Sequence, residues 1–234
     1  EELSELQVYA GEFNWLATRT RPDIGYPVSL LASTLTKSST WSRTLARKIL
    51  RYLVGTREDG LVFTAPDASA CKGTQLTLQC FTDAGFAGES RSQSGILVFL
   101  EGCPVLWRSA RQSTTALSTG EAELSAAALG LQCALGLRYL LEDLIGDKVH
   151  VKMYLDNTSA VTVSTAGGTW RSRYYSVRGA FLKELTEKGE VEVYHVNTME
   201  ELADALTKLT DSKVLDTLRR AMQTTVEPGH FIDN

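Results

Sequence analysis

Apolar residues recur at helical spacing through the first quarter of the chain. A repeat of three or four positions places such residues on one side of a helix. Three groups follow it: Leu6, Tyr9, Phe13 and Leu16; Ile24, Val28, Leu31 and Leu35; Leu45, Ile49 and Leu53. Pro22 stands where a helix can begin, and Gly55 stands where one can end. The pattern therefore predicts three helices, the third of which runs from about Trp41 to Val54.

From Gln75 onward the pattern changes to the alternation of apolar and polar positions that is typical of strands. The first predicted strand ends at Asp83, and four more span 95–100, 104–107, 149–155 and 190–196. The predicted helices span about 118–144, 157–165 and 173–188, and a last helix begins after Thr198. The order is β-β-β-α-β-α-α-β-α. Three antiparallel strands followed by strands that alternate with helices predict an α/β fold, with a mixed sheet flanked by helices.

The composition is that of an ordinary folded domain. Of the 234 residues, 43% are hydrophobic and 22% are charged, which allows one buried core and a smaller attached unit. No apolar run approaches the roughly 20 residues that cross a bilayer, and the chain opens without a secretory pattern. The four cysteines, Cys71, Cys80, Cys103 and Cys133, are widely spaced. We expect reduced thiols in a protein that is neither membrane-bound nor secreted.

One basic stretch stands out against the formal net charge of −4. The residues from Lys37 to Arg57 include six basic side chains and no acidic one. Arg43, Arg47 and Arg51 recur every four residues and therefore share one helical face. Nucleic-acid binding depends on local basic surface rather than on total charge, so this face is either a phosphate-binding surface or an ordinary solvated one.

Four acidic residues lie at positions where acids are unusual. Asp83 and Asp156 each close an apolar strand, Glu123 lies near the start of the long helix, and Asp204 lies near the start of the last helix. Acids at strand ends and in first helical turns can converge at one edge of a sheet. Clustered carboxylates repel one another and need a cation, and oxygen ligands select Mg²⁺ or Mn²⁺.

Two neighbouring acids have structural roles available instead. Ser118 and Glu121 form a predicted capping box, in which the carboxylate reaches back to the start of the helix. Thr198 and Glu201 form a second one. Because Glu123 also heads a stripe of small residues suited to close packing on a sheet, we assign Glu123, and not Glu121, to the acidic site.

Five segments in this order resemble the ribonuclease H domain that closes the polyprotein of copia-type (Pseudoviridae) long-terminal-repeat retrotransposons. They are FTDAGFAG at 81–88, RSQSG at 91–95, ALSTGEAEL at 116–124, YLDNTSA at 154–160 and LADALTK at 202–208. Two upstream segments, NWLATRTRPDI at 14–24 and ILRYLVGT at 49–56, resemble the C-terminal end of the reverse transcriptase of the same polyprotein. Each segment alone is a weak signal, but the ordered set is specific.

The resemblance implies a fold and a division of the chain. It implies a ribonuclease H-like mixed five-stranded sheet flanked by helices and preceded by a small helical segment. Residues 1–64 would be a thumb-like or connection-like remnant of the reverse transcriptase, and 65–74 would be a linker. Residues 75–220 would form the ribonuclease H domain, and 221–234 would form a C-terminal tail.

The resemblance also implies the chemistry. Asp83, Glu123, Asp156 and Asp204 would hold two Mg²⁺ ions, or Mn²⁺, that hydrolyse the RNA strand of an RNA–DNA hybrid during reverse transcription. The predicted nucleic-acid contacts are Ser94, Asn157, Arg43, Arg47, Arg51, Arg171 and Arg173. The implied partners are the hybrid and the reverse transcriptase domain, without a membrane. The implied location is a cytoplasmic virus-like particle, with the nucleus also open.

His195 and the class of the protein leave alternatives open. Many ribonucleases H carry a catalytic histidine before the last acid, but His195 lies in or at the end of a predicted strand, where a structural role also fits. Residues 170–175 depart from the copia pattern, so the family's contacts there do not carry over. An inactive scaffold would keep the fold and lose the metals, an integrase core uses three acids in another order, and a plain nucleic-acid-binding module leaves the acids unexplained.

Overall fold

The computed structural model describes residues 2–36, 39–63, 76–88, 90–156, 176–197 and 200–223. The first two ranges form the predicted helical segment. Its elements are α1 (Glu2–Arg19), a 3-10 turn (Pro22–Ile24), α2 (Gly25–Thr34) and α3 (Ser39–Gly55). Their apolar faces form a core of their own, which includes Leu6, Phe13, Ile24, Val28, Leu31, Leu45 and Ile49. The three helices therefore lie where the apolar spacing predicts them.

A buried polar network joins the start of α2 to the end of α3. Arg21 and Asp23 are only 7% and 6% exposed, and the Arg21 Nε donates to the Asp23 Oδ1 at 3.0 Å. The Tyr52 hydroxyl donates to the Asp23 Oδ2 at 2.6 Å, and the Arg21 Nη1 donates to the Thr56 carbonyl oxygen at 3.0 Å. Because buried charges are costly unless they are paired, this network favours a single arrangement of the two helices.

The described strands form one mixed five-stranded sheet in the order β3-β2-β1-β4-β5. The strands are β1 (Thr77–Gly85), β2 (Gln93–Leu100), β3 (Cys103–Arg111), β4 (His150–Leu155) and β5 (Glu192–His195). The first three pair antiparallel, β4 pairs parallel with β1, and β5 pairs parallel with β4. This topology confirms the predicted ribonuclease H-like mixed sheet.

The hairpin between β2 and β3 extends further than the apolar pattern predicts. Its turn consists of Glu101 and Gly102, whose φ values are 48° and 78°, and positive φ at both positions is the geometry of a type I′ turn. Beyond Trp107, where the predicted strand stopped, β3 continues to Arg111, because its last residues still pair with the start of β2.

Helices cover both faces of the sheet. On one face lie α4 (Thr119–Ile145) and α5 (Ser176–Glu187), and on the other lie a 3-10 turn (Leu202–Leu206) and α6 (Ser212–Gln223). By length and composition alone α4 could cross a membrane, with a mean hydropathy of 1.4 and half of the apolar window buried inside the fold. Its buried side packs on β1, β2 and β4, as the core helix of a folded domain does.

The last helix differs from its prediction. The sequence predicts one helix after Thr198, with Asp204 near its start, whereas Asp204 lies in the 3-10 turn and α6 begins only at Ser212. All five residues of the turn are buried, through contacts with distant elements that the local sequence pattern does not report. Asp211 then caps α6, since its Oδ1 accepts from the backbone N–H groups of Lys213 and Val214, both at 3.1 Å.

Other predicted boundaries differ by a few residues or lie outside the description. The helix α6 continues to Gln223 and so enters the range 221–234 that the sequence assigns to a tail. The helix predicted at 173–188 is described from Ser176 to Glu187. The linker at 65–74 and the helix predicted at 157–165 lie outside the described residues.

The helical segment packs directly on the edge strand of the sheet and on α6. The Trp107 Nε1 donates to the Ala17 carbonyl oxygen at 2.7 Å, and the Gln93 Nε2 donates to the Ser29 Oγ at 3.0 Å. On the other side, Arg219 of α6 forms an ion pair with Asp59. The segment and the sheet therefore share polar contacts whose partners are far apart in the sequence.

Candidate metal centre

Two parallel strands bring the first pair of acids together. In the register of β1 and β4, Phe81 faces Tyr154. Two residues further along each strand direction lie Asp83, which is 5% exposed, and Asp156, which directly follows β4. Because parallel strands end at the same edge of a sheet, this register puts the two carboxylates side by side.

A close helix–sheet contact adds Glu123. The helix α4 begins at the Ser118 cap, and its small-residue face contains Ala127, Gly130 and Ala134, of which both alanines are fully buried. A Cβ added at Gly130 would overlap the Thr82 Cγ2 and would lie 3.3 Å from the Cys80 Sγ. This contact holds α4 against β1 and places the Glu123 side chain over the end of that strand.

The carboxylates of Asp83, Glu123 and Asp156 form a compact group. One oxygen atom from each lies within 4.8 Å of the other two. Three oxygen donors that converge from a strand, a helix and a strand end can hold a divalent cation, and hard cations such as Mg²⁺ prefer such ligands. The donor set therefore fits the metal that the sequence predicts.

The electrostatics of the group also favour a bound cation. Burial raises the pKa of Asp83 to about 6, and the charges of Asp204 and Asp156 add to the effect. Burial raises the pKa of Glu123 to about 9, with further contributions from Asp83 and Asp156. Without a cation, the three groups compete for protons because they cannot all be ionised at low cost.

Asp204, the fourth predicted acid, lies next to this group but is paired elsewhere. It is 5% exposed in the 3-10 turn, and its charge raises the pKa of both Asp83 and Glu123. Its Oδ1 forms an ion pair with the Lys208 Nζ. The structure thus brings three of the four predicted acids into one tight group and holds the fourth beside it.

Thr207 and Lys208 are site residues that sequence reasoning missed. The Thr207 Oγ1 donates to the Asp83 Oδ2, and it also lies 3.0 Å from the Asp204 carbonyl oxygen. Their spacing in the sequence could have indicated them. They follow Asp204 by three and four residues, and residues at this spacing are neighbours on a helical turn.

His195 ends β5 at the rim of the same group. Its Nε2 lies 3.1 Å from the Asp156 backbone oxygen, and because a carbonyl only accepts, the Nε2 must carry the proton. The strand position agrees with the structural alternative that the sequence left open. The ring also fixes the segment on which Asp156 lies.

The two acids assigned to capping do cap, although not quite as predicted. The Glu121 Oε2 accepts from the Leu117 N–H at 2.7 Å, one residue before the expected donor, while the Ser118 Oγ accepts from the Glu121 N–H at 3.2 Å. Glu201 is itself the N-cap of the 3-10 turn and accepts from the Ala203 N–H at 3.0 Å. Thr198 lies outside the described residues.

Ser94 borders a basic groove beside the acids. It is 2% exposed, and its Oγ accepts from the Gln112 Nε2 at 3.0 Å. The groove has a volume of about 570 Å³ and carries three arginines, Arg108, Arg111 and Arg178. Ser94 of β2 pairs with Ala110 of β3, and its neighbour Gly95 pairs with Asp83 of β1. The groove therefore begins next to the carboxylate group.

The remaining predicted nucleic-acid contacts are more distant or not described. On α3, Arg47 and Arg51 are exposed and Arg43 is partly buried, opposite the buried Leu45 and Ile49. The helix is amphipathic as predicted, and its basic side is on the surface. Asn157, Arg171 and Arg173 lie outside the described residues.

Comparisons with known proteins give relatives of one kind. No family model matches the chain. It is 30% identical over 219 residues, 88% of its length, to the retrovirus-related Pol polyprotein from transposon RE1 of Arabidopsis thaliana. It is also 30% identical over 203 residues, 85% of its length, to the corresponding polyprotein from transposon TNT 1-94 of Nicotiana tabacum. The chain spans 14% and 15% of these polyproteins.

One solved structure extends the comparison to the fold. The foamy viral protease-reverse transcriptase in complex with RNA/DNA hybrid matches 90% of this chain and 27% of its own, with a TM-score of 0.50 and 16% identity. At this identity the likeness concerns the fold alone. It nevertheless includes both the helical segment and the sheet, because it covers nearly the whole chain.

Proposed function

We propose that this chain, whose homologues are Pol polyproteins of copia-type transposons and which has a ribonuclease H-like fold, is a metal-dependent ribonuclease H. The observation that carries the proposal is the group of carboxylates from Asp83, Glu123 and Asp156, within 4.8 Å of one another. A chain that keeps three converging acids, of which Asp83 and Glu123 are buried and Asp156 is partly buried, at a cost in repulsion has a use for the cation that relieves it. An inactive scaffold has no such use.

The proposed reaction is hydrolysis of the RNA strand of an RNA–DNA hybrid. Asp83, Glu123 and Asp156 would hold the first divalent ion, Mg²⁺ or Mn²⁺, and Asp204 would complete the site for a second. The ions would supply a water of lowered pKa and stabilisation of the leaving 3′ oxygen. The protein itself would orient the ligands: Thr207 holds the Asp83 carboxylate by a hydrogen bond, and His195 holds the backbone at Asp156.

The basic groove is the proposed path of the second strand. Arg108, Arg111 and Arg178 line it next to Ser94, and arginine pairs well with phosphate oxygens. Recognition of RNA by the site would rest on 2′-hydroxyl contacts, for which Ser94 and Asn157 are the candidates. Arg43, Arg47, Arg51, Arg171 and Arg173 remain predicted phosphate contacts.

The proposed setting follows from the relatives. The chain spans about one seventh of the Pol polyproteins that it matches, so the reverse transcriptase domain is proposed as its partner in the same polyprotein. The solved relative is described as a complex with RNA/DNA hybrid, which supports the hybrid as substrate. A cytoplasmic virus-like particle, with the nucleus as the alternative, is the proposed location.

The test is cleavage of a hybrid whose RNA strand is labelled. The full chain and its Asp83→Asn variant are incubated with Mg²⁺, Mn²⁺ or EDTA, and Asp147→Asn, at an exposed position after α4, is the matched control. We expect metal-dependent cutting of the RNA strand by the chain and by the control, a loss of at least about 100-fold in Asp83→Asn, and intact DNA duplex. Equal cutting by Asp83→Asn would overturn the carboxylates as the site of the reaction. Hybrid binding without any cutting would overturn the proposal in favour of a scaffold.

A further inference from the structure

The cluster of carboxylates has a cation beside it, the ammonium group of Lys208. Its Nζ forms an ion pair with the Asp204 Oδ1, four residues earlier. The two side chains differ greatly in exposure: Asp204 is 7% exposed, whereas Lys208 is 54% exposed. The buried acid is therefore fixed by the turn, and the lysine reaches it from the solvent side with freedom to move away.

The charge of Lys208 acts on more than its immediate partner. Burial alone lowers the pKa of Lys208, but the hydrogen bond and charge of Asp204 and the charges of Asp83 and Asp156 more than offset this and leave the pKa raised. In return, the lysine lowers the pKa of Asp83. The ammonium group thus interacts with the charges of Asp83 and Asp156 as well as contacting Asp204 directly.

The pairing divides the four acids into two sets. One carboxylate oxygen from each of Asp83, Glu123 and Asp156 lies within 4.8 Å of the other two, while one oxygen of Asp204 is already held by a cation. A second divalent ion that uses Asp204 would meet the Lys208 ammonium at close range, where like charges repel strongly. It can bind fully only if the lysine leaves.

We propose that Lys208 is a built-in counter-ion that stands in for the second metal ion at Asp204 and limits the binding of that ion. The inference rests on the proposed two-metal function and adds a positioning residue to it. The first ion would bind without displacing Lys208, and the second would bind in competition with it. Thr207, the residue before Lys208, keeps Asp83 in place throughout by its hydrogen bond, so the lysine can move while the first ligand set remains intact.

The experiment is calorimetric titration of the full chain with Mg²⁺, and separately with Mn²⁺, in the absence of nucleic acid. Lys208→Gln removes the charge and Lys208→Arg keeps it. The matched control is Lys188→Gln, because Lys188 forms an ion pair with Glu184 at the same spacing of four residues but precedes β5, at the end of the strand away from His195. Both positions are at least half exposed, so the three substitutions should leave the fold intact.

We expect Lys208→Gln to bind the second ion on the order of tenfold more tightly, with a smaller gain for the first ion, because the charge of Lys208 also acts on Asp83. Lys208→Arg and Lys188→Gln should resemble the parent chain. The Mg²⁺ concentration for half-maximal hybrid cleavage should fall in Lys208→Gln. An unchanged isotherm, or weaker binding, would overturn the inference while leaving the nuclease in place. A parent chain that binds no cation at all, like its Asp83→Asn variant, would instead overturn the proposed function on which it rests.

Discussion

Gly130 of α4 lies so close to Thr82 of β1 that a β-carbon at this position would overlap the threonine Cγ2. This single approach sets the distance between the helix that carries Glu123 and the strand that carries Asp83. We therefore expect Gly130→Ala to push α4 away from the sheet, to lower the free energy of unfolding by about 1–3 kcal/mol, and to reduce hybrid cleavage. Denaturant unfolding and the cleavage assay measure the two effects.

The same helix provides the control for this prediction. Gly136 has open space where a β-carbon would go, so Gly136→Ala should stabilise the chain by up to about 1 kcal/mol through helix propensity alone. If Gly130→Ala were also neutral or stabilising, the close packing at Thr82 would not be what positions Glu123.

The stability of the metal-free chain should fall as the pH rises. A carboxyl group whose pKa is raised in the folded state contributes stability that is fully present below its unfolded pKa and is lost as the pH rises through its folded pKa. Burial raises the pKa values of Asp83 and Glu123 to about 6 and about 9. In EDTA, this contribution should therefore be lost in two steps between about pH 4 and pH 9, and saturating Mg²⁺ should restore stability most at the alkaline end.

The Glu123→Gln variant isolates the larger step. A glutamine cannot ionise, so its curve of unfolding free energy against pH in EDTA should be flatter than that of the parent between pH 7 and pH 9. Titrating groups that lie away from the carboxylates contribute equally to both curves and cancel in the difference. Parallel curves for the two proteins would mean that Glu123 is ionised freely in the metal-free fold, contrary to its burial.

The approximate position of the site could be predicted from sequence, but its internal pairing could not. The positions of Asp83, Glu123 and Asp156 were predictable because strand ends and the start of a helix are fixed by local patterns of apolar residues. Asp204 was found as a residue, but its turn was mistaken for the start of a helix, since the burial of all five turn residues depends on contacts with distant elements. The ion pair of Asp204 with Lys208 depends on the same turn, so it became visible only with the fold.

Contacts between distant segments could not be predicted from the sequence for a similar reason. A pattern along the chain reports which face of an element is apolar, not which partner covers it. The hydrogen bond from Trp107 to the Ala17 carbonyl joins residues 90 positions apart, and no local signal at either position indicates the other. The helical segment was thus predicted, whereas its packing on β3 was not.

Thr207 should matter for activity through Asp83. Its hydroxyl donates to the Asp83 Oδ2, and its Cγ2 packs at Gly95, so Thr207→Val keeps the packing and removes only the hydrogen bond. We expect a loss of about 10- to 100-fold in metal affinity or activity, as for other residues that orient a metal ligand. Because that hydrogen bond lowers the pKa of Asp83, the pH at which metal binding begins should also move upward.

Thr207→Ser tests whether the hydroxyl is the cause. It restores the donor without the methyl group and should recover most of the metal affinity, measured by calorimetry in the absence of substrate. If serine and valine were equally impaired, the role of Thr207 would be packing against β2 rather than orientation of the carboxylate.

The size of the effect at His195 separates the two roles that the sequence left open. The ring Nε2 donates to the Asp156 backbone oxygen from the end of β5, which is a structural contact. If this contact is its whole function, His195→Ala should lower kcat less than about tenfold, since a single hydrogen bond contributes about 0.5–1.5 kcal/mol, and metal affinity should fall in parallel. A group that transfers a proton in the reaction is worth about 100- to 10,000-fold, so a fall of that size with unchanged metal affinity would assign it to the chemistry. His150→Ala, at the opposite end of β4, serves as the control. We expect the smaller effect, because the geometry directs the ring Nε2 at the backbone oxygen of Asp156.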